Sequence, residues 1–397
     1  MDGLHQAPES GVGIIESQPQ ARKLAKICDT NTWLGNNTAF SRRIEQPISG
    51  GEEEATVLKF IRIGVDLAKN FFQVHALEAD DGRAVTKKLS RSKVLGFFKS
   101  VEPCQVGMEA CGSAHYWARE LTSMGHQVFL IPPIYIKAYV KRGKNDAVDA
   151  EAICEAMSRP GMRFVPIKTK DQQAVLMLHK SRDLLIKQRT MSTNALRSHL
   201  LEFGVITAQG VNRIDGLIEM AKSDRDVPEM AKELIDILAQ QLDEIDAAIV
   251  AVDKKIAAVC ANDARMQLLD LVPGVGKIIA SVVAASVPEP AIFNSGRDFA
   301  AWLGLTPRQN SSGGKAKLGK ITKKGNRYIR KLLVLSSTSL LRSVAKRTGA
   351  LRDWIAALLL KKPARLVTVA IANKLARIMW AMLNTGEGFR EEIFMKA

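Results

Sequence analysis

Cysteine is scarce in this chain of 397 residues, and it is placed for neither of its usual structural uses. Cys28, Cys104, Cys111, Cys154 and Cys260 contain no CxxC pair, and none stands beside histidines at zinc-finger spacing. That excludes a zinc ribbon and a disulfide framework, and an odd, scattered set fits the reduced thiols of a cytoplasmic protein. Long apolar runs are also missing. No stretch of about 18 apolar residues would serve as a membrane span, and the start lacks the basic-then-apolar pattern of a signal peptide. No repeat recurs at a fixed period. Acid is in deficit, with 41 Asp and Glu against 57 Lys and Arg, a formal charge of +16. A surface this basic attracts polyanions, of which nucleic acid is the commonest.

What is present divides the chain into four parts. Residues 1–57 are rich in Gly, Pro, Ser, Asn and Gln, carry no sustained apolar period and end in Gly50-Gly51-Glu52-Glu53-Glu54, so they read as a disordered extension. Residues 58–165 read as an α/β domain. Strands are expected at Phe60–Asp66, Phe71–Leu77, Ala84–Lys88, Gln105–Glu109 and Val128–Ile131. Helices are expected at Ser92–Val101 and Ala114–Met124, and the segment Lys144-Asn145-Asp146-Ala147-Val148-Asp149-Ala150 leads into a helix through Met157. Residues 166–262 read as helical. Ile235, Leu242, Ile249 and Ile256 are seven apart, as are Leu238, Ile245, Val252 and Val259, and the two series interleave as a and d positions of a coiled coil. An intramolecular hairpin and an intermolecular coiled coil both satisfy this pattern, and a dimerising element is the expectation. Residues 263–397 read as a mainly helical domain interrupted by a glycine- and lysine-rich loop.

Two acids, Asp66 and Glu109, close different expected strands, while Asp146 and Asp149 are three apart, on one face of a helix. Singly, each is as well explained as a turn residue or a helix cap. Together, acids at strand ends and a helical acidic pair can converge at one edge of a sheet. Oxygen ligands so arranged hold a divalent cation such as Mg²⁺ or Mn²⁺ for phosphoryl transfer.

The second candidate site is Gly304-Leu305-Thr306-Pro307-Arg308-Gln309-Asn310-Ser311-Ser312-Gly313-Gly314-Lys315. Small residues let a backbone approach phosphate closely, and a serine hydroxyl there is a potential nucleophile if the charge is stabilised by groups such as Arg308 or Lys315. Composition alone equally describes a flexible loop. Lys315, Lys317, Lys320, Lys323, Lys324, Arg327, Arg330 and Lys331 follow with no acid among them, as phosphate-contacting residues do. Upstream, the turn at Gly274, Gly276 and Lys277 resembles a helix-hairpin-helix, whose glycines and following helix N-terminus hold a DNA phosphate, and an ordinary helix-helix turn fits it equally well.

With these motifs in place, residues 59–385 resemble the DEDD transposases of bacterial insertion sequences, described as bridge-RNA-guided recombinases. Ile63-Gly64-Val65-Asp66-Leu67-Ala68-Lys69, Glu109-Ala110-Cys111-Gly112-Ser113 and Lys144-Asn145-Asp146-Ala147-Val148-Asp149-Ala150 match the family's RNase H-like (RuvC-like) domain. Pro273-Gly274-Val275-Gly276, Gly304-Leu305-Thr306-Pro307-Arg308 and Ser311-Ser312-Gly313-Gly314 match its transposase domain. The resemblance implies Asp66, Glu109, Asp146 and Asp149 as a metal-binding tetrad. It implies Ser312, by its position before the first glycine and with Ser311 beside it, as a covalent nucleophile. It implies a coiled-coil linker and a dimer or tetramer, with element ends or junction, target DNA and a structured guide RNA as partners. A junction resolvase using the same acids with water as nucleophile, or a basic nucleic-acid-binding protein without catalysis, are the competing readings.

Overall fold

The computed structural model describes residues 58–140, 146–310 and 317–390. The extension expected over 1–57, the start of the acidic segment at Lys144-Asn145, and Ser311, Ser312 and Lys315 of the serine loop lie outside the described residues.

The first part is a five-stranded mixed sheet. β1 (Phe60–Leu67), β2 (Phe71–Glu78) and β3 (Ala84–Ser90) form an antiparallel meander. After α1 (Val94–Lys99), β4 (Gln105–Glu109) returns parallel to β1 on its free edge. Then α2 (Ala114–Ser123) leads to β5 (Gln127–Ile131), parallel to β4. The resulting order, β3-β2-β1-β4-β5, is that of an RNase H-like sheet, as expected. Alternation along the strands sorts the residues by face. Ile63, Val65, Val106 and Met108 point to one face and are buried with Val94 and Phe98 of α1 and Trp117 and Leu121 of α2. The opposite face receives α4 (Asp146–Met157), which follows the short α3 (Pro133–Ile136). Ala152, Ile153 and Met157 of α4 are buried there with Ile131 and Ile136.

Two long helices follow, α5 (Lys170–Leu201) and α7 (Glu229–Ala261), with α6 (Ile214–Ser223) in the connection between them. A capping box starts α5: Thr169 Oγ1 accepts from Gln172 N, and the Gln172 side chain accepts from Thr169 N. α5 and α7 run antiparallel, because Arg182 bonds Asp253 at 2.5 Å while Arg189 bonds Asp246 at 2.8 Å. Ile235, Leu242, Ile249 and Ile256 are all buried, whereas Leu238, Ile245, Val252 and Val259 are half-buried. The heptad seam is therefore occupied within one chain. The expected dimerising coiled coil is corrected to this extent: the pattern arises from an intramolecular hairpin, and the seam itself requires no second copy.

α8 (Ala264–Asp270), a tight turn and α9 (Lys277–Ser286) open the last part, with α9 almost wholly buried. α10 runs over Gly296–Trp302 and starts where Ser295 caps it by accepting from Asp298 N. The glycine- and lysine-rich segment, expected as a loop, holds a two-stranded hairpin, β6 (Pro307–Gln309) with β7 (Leu318–Ile321). α11 (Arg327–Arg342), α12 (Ala350–Leu359) and α13 (Ala364–Thr385) complete the domain. α13 is long and apolar enough to cross a membrane by composition, but Ile371, Leu375, Ile378, Met379 and Met382 form the centre of this domain's core.

Candidate active site

Gly64 and Gly107 are direct partners across the β1–β4 pair, and each precedes an acid by two residues on the same strand. A Cβ at Gly64 would lie 2.2 Å from the Ala150 carbonyl oxygen and 2.6 Å from the Cys154 nitrogen, both backbone atoms of α4. A Cβ at Gly107 would lie 2.8 Å from Met157 Sδ. The glycine pair is the groove that lets α4 lie directly on the sheet. Because the strand period is two, Asp66 and Glu109 share that face with the glycines. The first turn of α4, bearing Asp146 and Asp149, is thereby set over the strand ends.

The result is a cluster in which single carboxylate oxygens of Asp66, Asp146 and Asp149 all lie within 4.8 Å of one another. Glu109 stands outside that radius, yet close enough to act on Asp66. Asp66 is pushed up from 3.8 to about 6, first by burial and then by the charges of Asp149, Asp146 and Glu109. None of the four acids pairs with a Lys or Arg among the described residues. Hard oxygen donors, crowded together and unpaired with Lys or Arg among the described residues, fit a divalent metal of the Mg²⁺ or Mn²⁺ type. The glycine pair that seats them was missed from sequence, although the repeated pattern Gly64-Val65-Asp66 and Gly107-Met108-Glu109 carried the signal.

A profile for DEDD transposases, described as a transposase, matches residues 63–205, the span holding all four acids. Another, described as the IS116/IS110/IS902 family of transposases, matches residues 266–351. A Pseudomonas aeruginosa protein named "probable family 20 transposase" is 47% identical over 332 residues, 83% of this chain and 98% of its own length. The chain belongs to the IS116/IS110/IS902 transposase family. Two further relatives are each 38% identical to it. One is the transposase for insertion sequence element IS1328 of Yersinia enterocolitica, covering 82% of this chain and 98% of that protein. The other is the transposase for insertion sequence element IS1111A of Coxiella burnetii, covering 84% and 92%.

In the transposase's C-terminal domain, β6 and β7 flank the serine loop, and Asn310 N donates to Lys317 O at 2.9 Å across its base. Arg308 on β6, Lys320 on β7, and Lys323, Lys324 and Arg327 beyond them are exposed. Arg330 is used differently: its Nη1 donates to Leu303 O at 2.8 Å and to Lys324 O at 2.7 Å. It ties the end of α10 to the start of α11. At that junction Gly325, with φ +74°, leaves room for the Trp302 carbonyl oxygen, which a Cβ would meet at 1.7 Å. Lys331 pairs with Asp183 of α5 at 2.6 Å. Gly274 and Gly276 are exposed at the α8–α9 turn, with Gly276 capping α9 and Lys277 exposed in its first turn. The Gly274 carbonyl accepts from Ser336 Oγ, which holds the turn against α11.

Proposed function

We propose that this transposase cuts and rejoins DNA at an insertion-sequence junction and its target, with Asp66, Glu109, Asp146 and Asp149 as the metal-holding acids and Ser312 as the nucleophile. The observation that carries the reading is the convergence of Asp66, Asp146 and Asp149 within 4.8 Å. When bound there, Mg²⁺ or Mn²⁺ neutralises charge that develops on the transferring phosphate. The chain's own acids orient that centre, and their oxygens accept protons released nearby. The Ser312 Oγ–phosphorus bond forms as the bond from phosphorus to one flanking nucleotide oxygen breaks. The serine proton passes to solvent or a carboxylate, and the departing oxygen takes up a proton. Reversal by another strand's hydroxyl rejoins DNA without external energy. Arg308, Lys315, Lys317, Lys320, Lys323, Lys324 and Arg327, with the Gly274-Val275-Gly276-Lys277 turn, hold phosphates along the strand.

A structured guide RNA from the element is the proposed source of sequence choice, and a dimer or tetramer the working assembly. Met177, Leu184 and Met191 support the oligomer reading. They stand seven apart on α5, are 65%, 54% and 70% exposed, and present an apolar stripe outside the filled seam. The acid cluster favours a second reading as well, since a metal held by the same acids would serve water as the nucleophile.

One assay separates the two. Purified protein, Mg²⁺, the element's flanking RNA and labelled junction and target DNA are run on a denaturing gel. A covalent protein–DNA band that disappears in Ser312→Ala and Asp66→Asn, and persists in Ser311→Ala, is the expected result. Cleavage without such a band, indifferent to Ser312→Ala, replaces the serine with water. Omitting the RNA without loss of activity removes the guide from the scheme.

A further inference from the structure

A cavity of about 600 Å³ lies between the sheet domain, α5 and the C-terminal helices, in the size range of pockets that take small organic ligands. None of the four acids of the cluster is among its lining residues. One wall is the start of α2 with the loop before it, from Cys111 to Tyr116, and the opposite wall includes Trp302, Asn326 and Tyr328.

Its electrostatics are one-sided. Arg119, Lys168 and Lys180 line it, and Asp183 is the one carboxylate in the lining among the described residues. That carboxylate is already engaged by Lys187 at 2.7 Å and Lys331 at 2.6 Å. Lys168 Nζ is 3.3 Å from His115 Nε2, and Arg119 Nη1 donates to the Lys168 carbonyl at 2.7 Å. Arg119 Nε is buried without a partner. No acid pairs with any of the three cations among the described residues. Their mutual proximity is felt by His115, which burial first, then Lys168, Arg119 and Lys180, push down to about 4. Burial also lowers the Lys168 amine. Three cations around a neutral imidazole, with the Asp183 carboxylate already paired to Lys187 and Lys331, favour an incoming phosphate.

Aromatic surface lies beside the cations. Tyr116 is 41% exposed, and the half-buried Tyr328 is anchored by His179 Nδ1 at 3.4 Å from its hydroxyl. Cations with aromatic rings are the elements that hold one phosphate and one base of an unpaired strand. A cavity of this size admits one nucleotide, not a base pair within a duplex.

We propose that this cleft receives a single unpaired nucleotide, its phosphate on Arg119, Lys168 and Lys180 and its base against Tyr116 and Tyr328. This rests on the nucleic-acid reading above. The cleft begins two residues after Glu109, so the captured nucleotide is held out of the duplex beside the acid cluster. RNA and DNA strands share the recognised chemistry.

The test uses the full chain without divalent metal, so that no strand is cut. Three probes are titrated: a short DNA strand carrying 2-aminopurine, its RNA counterpart, and a DNA duplex. Gly112→Trp fills the cleft from a position where an added Cβ meets nothing within 4 Å. Lys180→Gln removes an exposed cation. Expected is a loss of roughly tenfold for at least one unpaired strand in both variants, with duplex affinity changed by less than about twofold and an unaltered melting temperature. The strand that loses affinity identifies the source. Equal loss on duplex and single strands, or no loss on either single strand, overturns the proposal. If Gly112→Trp does not fold, Lys180→Gln and Tyr116→Leu decide in the same way. Wild-type protein that binds no nucleic acid refutes the functional reading itself. Wild-type protein that binds nucleic acid, and cuts DNA once metal is supplied, while the unpaired probes ignore the variants refutes only this inference.

Discussion

At pH 7.5 Asp66 is ionised in the metal-free fold although burial and three neighbouring carboxylates have pushed its pKa to about 6. A raised carboxylate pKa means that the folded state is penalised once the group ionises, that is, as pH rises from 3.8 through 6. Asp66→Asn removes that penalty. The expected outcome is a metal-free protein more stable by roughly 1 kcal/mol after allowance for solvent screening, with strand cleavage abolished. Mg²⁺ or Mn²⁺ should raise the melting temperature of wild type and leave the variant's unchanged. Destabilisation of Asp66→Asn without metal would show that the carboxylate is held by the fold rather than kept for a cation. Gly64 sits two residues earlier and is constrained by backbone on the facing helix. Gly64→Ala is expected to cost about 3 kcal/mol, because the Ala150 carbonyl and Cys154 amide cannot swing aside as a side chain would. Gly112→Ala, facing open space, should be neutral. Denaturant melts of the pair check the contrast.

At the scale of elements, the α5–α7 hairpin joins the two parts bearing the candidate sites. Its seam residue Ile249 is 7% exposed, so Ile249→Ala should cost about 3 kcal/mol. Protection from hydrogen exchange should fall along α5 and α7 while β1 and β4 stay protected; uniform loss would mean that sheet and hairpin unfold as one unit. The strands and their terminal acids were legible in sequence because buried runs such as Phe60–Asp66 end in a charged residue. The seven-residue spacing on α7 was legible too, but its partner was not. Heptad spacing states that a face is covered, and α5 covers it through Arg182–Asp253 and Arg189–Asp246, residues 71 and 57 positions apart. The β6–β7 hairpin escaped notice because its strands are three and four residues long and almost fully exposed, without apolar alternation. The role of Arg330 escaped because a run of bases does not reveal which member turns inward to backbone carbonyls. The tetrad was legible as residue types, while its geometry depended on the Gly64–Gly107 groove.

Across the whole molecule, two histidines link distant parts and set how stability responds to acid. His115 joins α2 to the segment before α5 through Lys168. His179 on α5 contacts Ser281 of α9 at 3.0 Å and Tyr328 of α11 at 3.4 Å. Both are pushed from 6.5 to about 4. Burial is the first cause for each, followed by Lys168, Arg119 and Lys180 at His115 and by Arg182 at His179, where Asp253 opposes. A histidine with a depressed folded pKa is protonated earlier in the unfolded chain. Its contribution is therefore intact above about 6.5 and is lost as pH falls toward 4. Asp66 works in the opposite sense over 3.8 to 6, so the measurement is made in saturating Mg²⁺, which holds the acids ionised. The thermal midpoint should fall by roughly 5 °C between pH 7 and pH 5, and His179→Gln, which can keep a hydrogen bond to Ser281, should flatten that slope by about half. An unchanged slope in His179→Gln would assign the acid sensitivity elsewhere. Occupation of the cleft by a phosphate should raise the His115 pKa, because an anion favours the imidazolium that Lys168, Arg119 and Lys180 now oppose. His115 proton resonances followed through a pH titration, with and without a short single strand, would then move apart in apparent pKa, whereas a strand lying outside the cleft would leave the two curves superimposed.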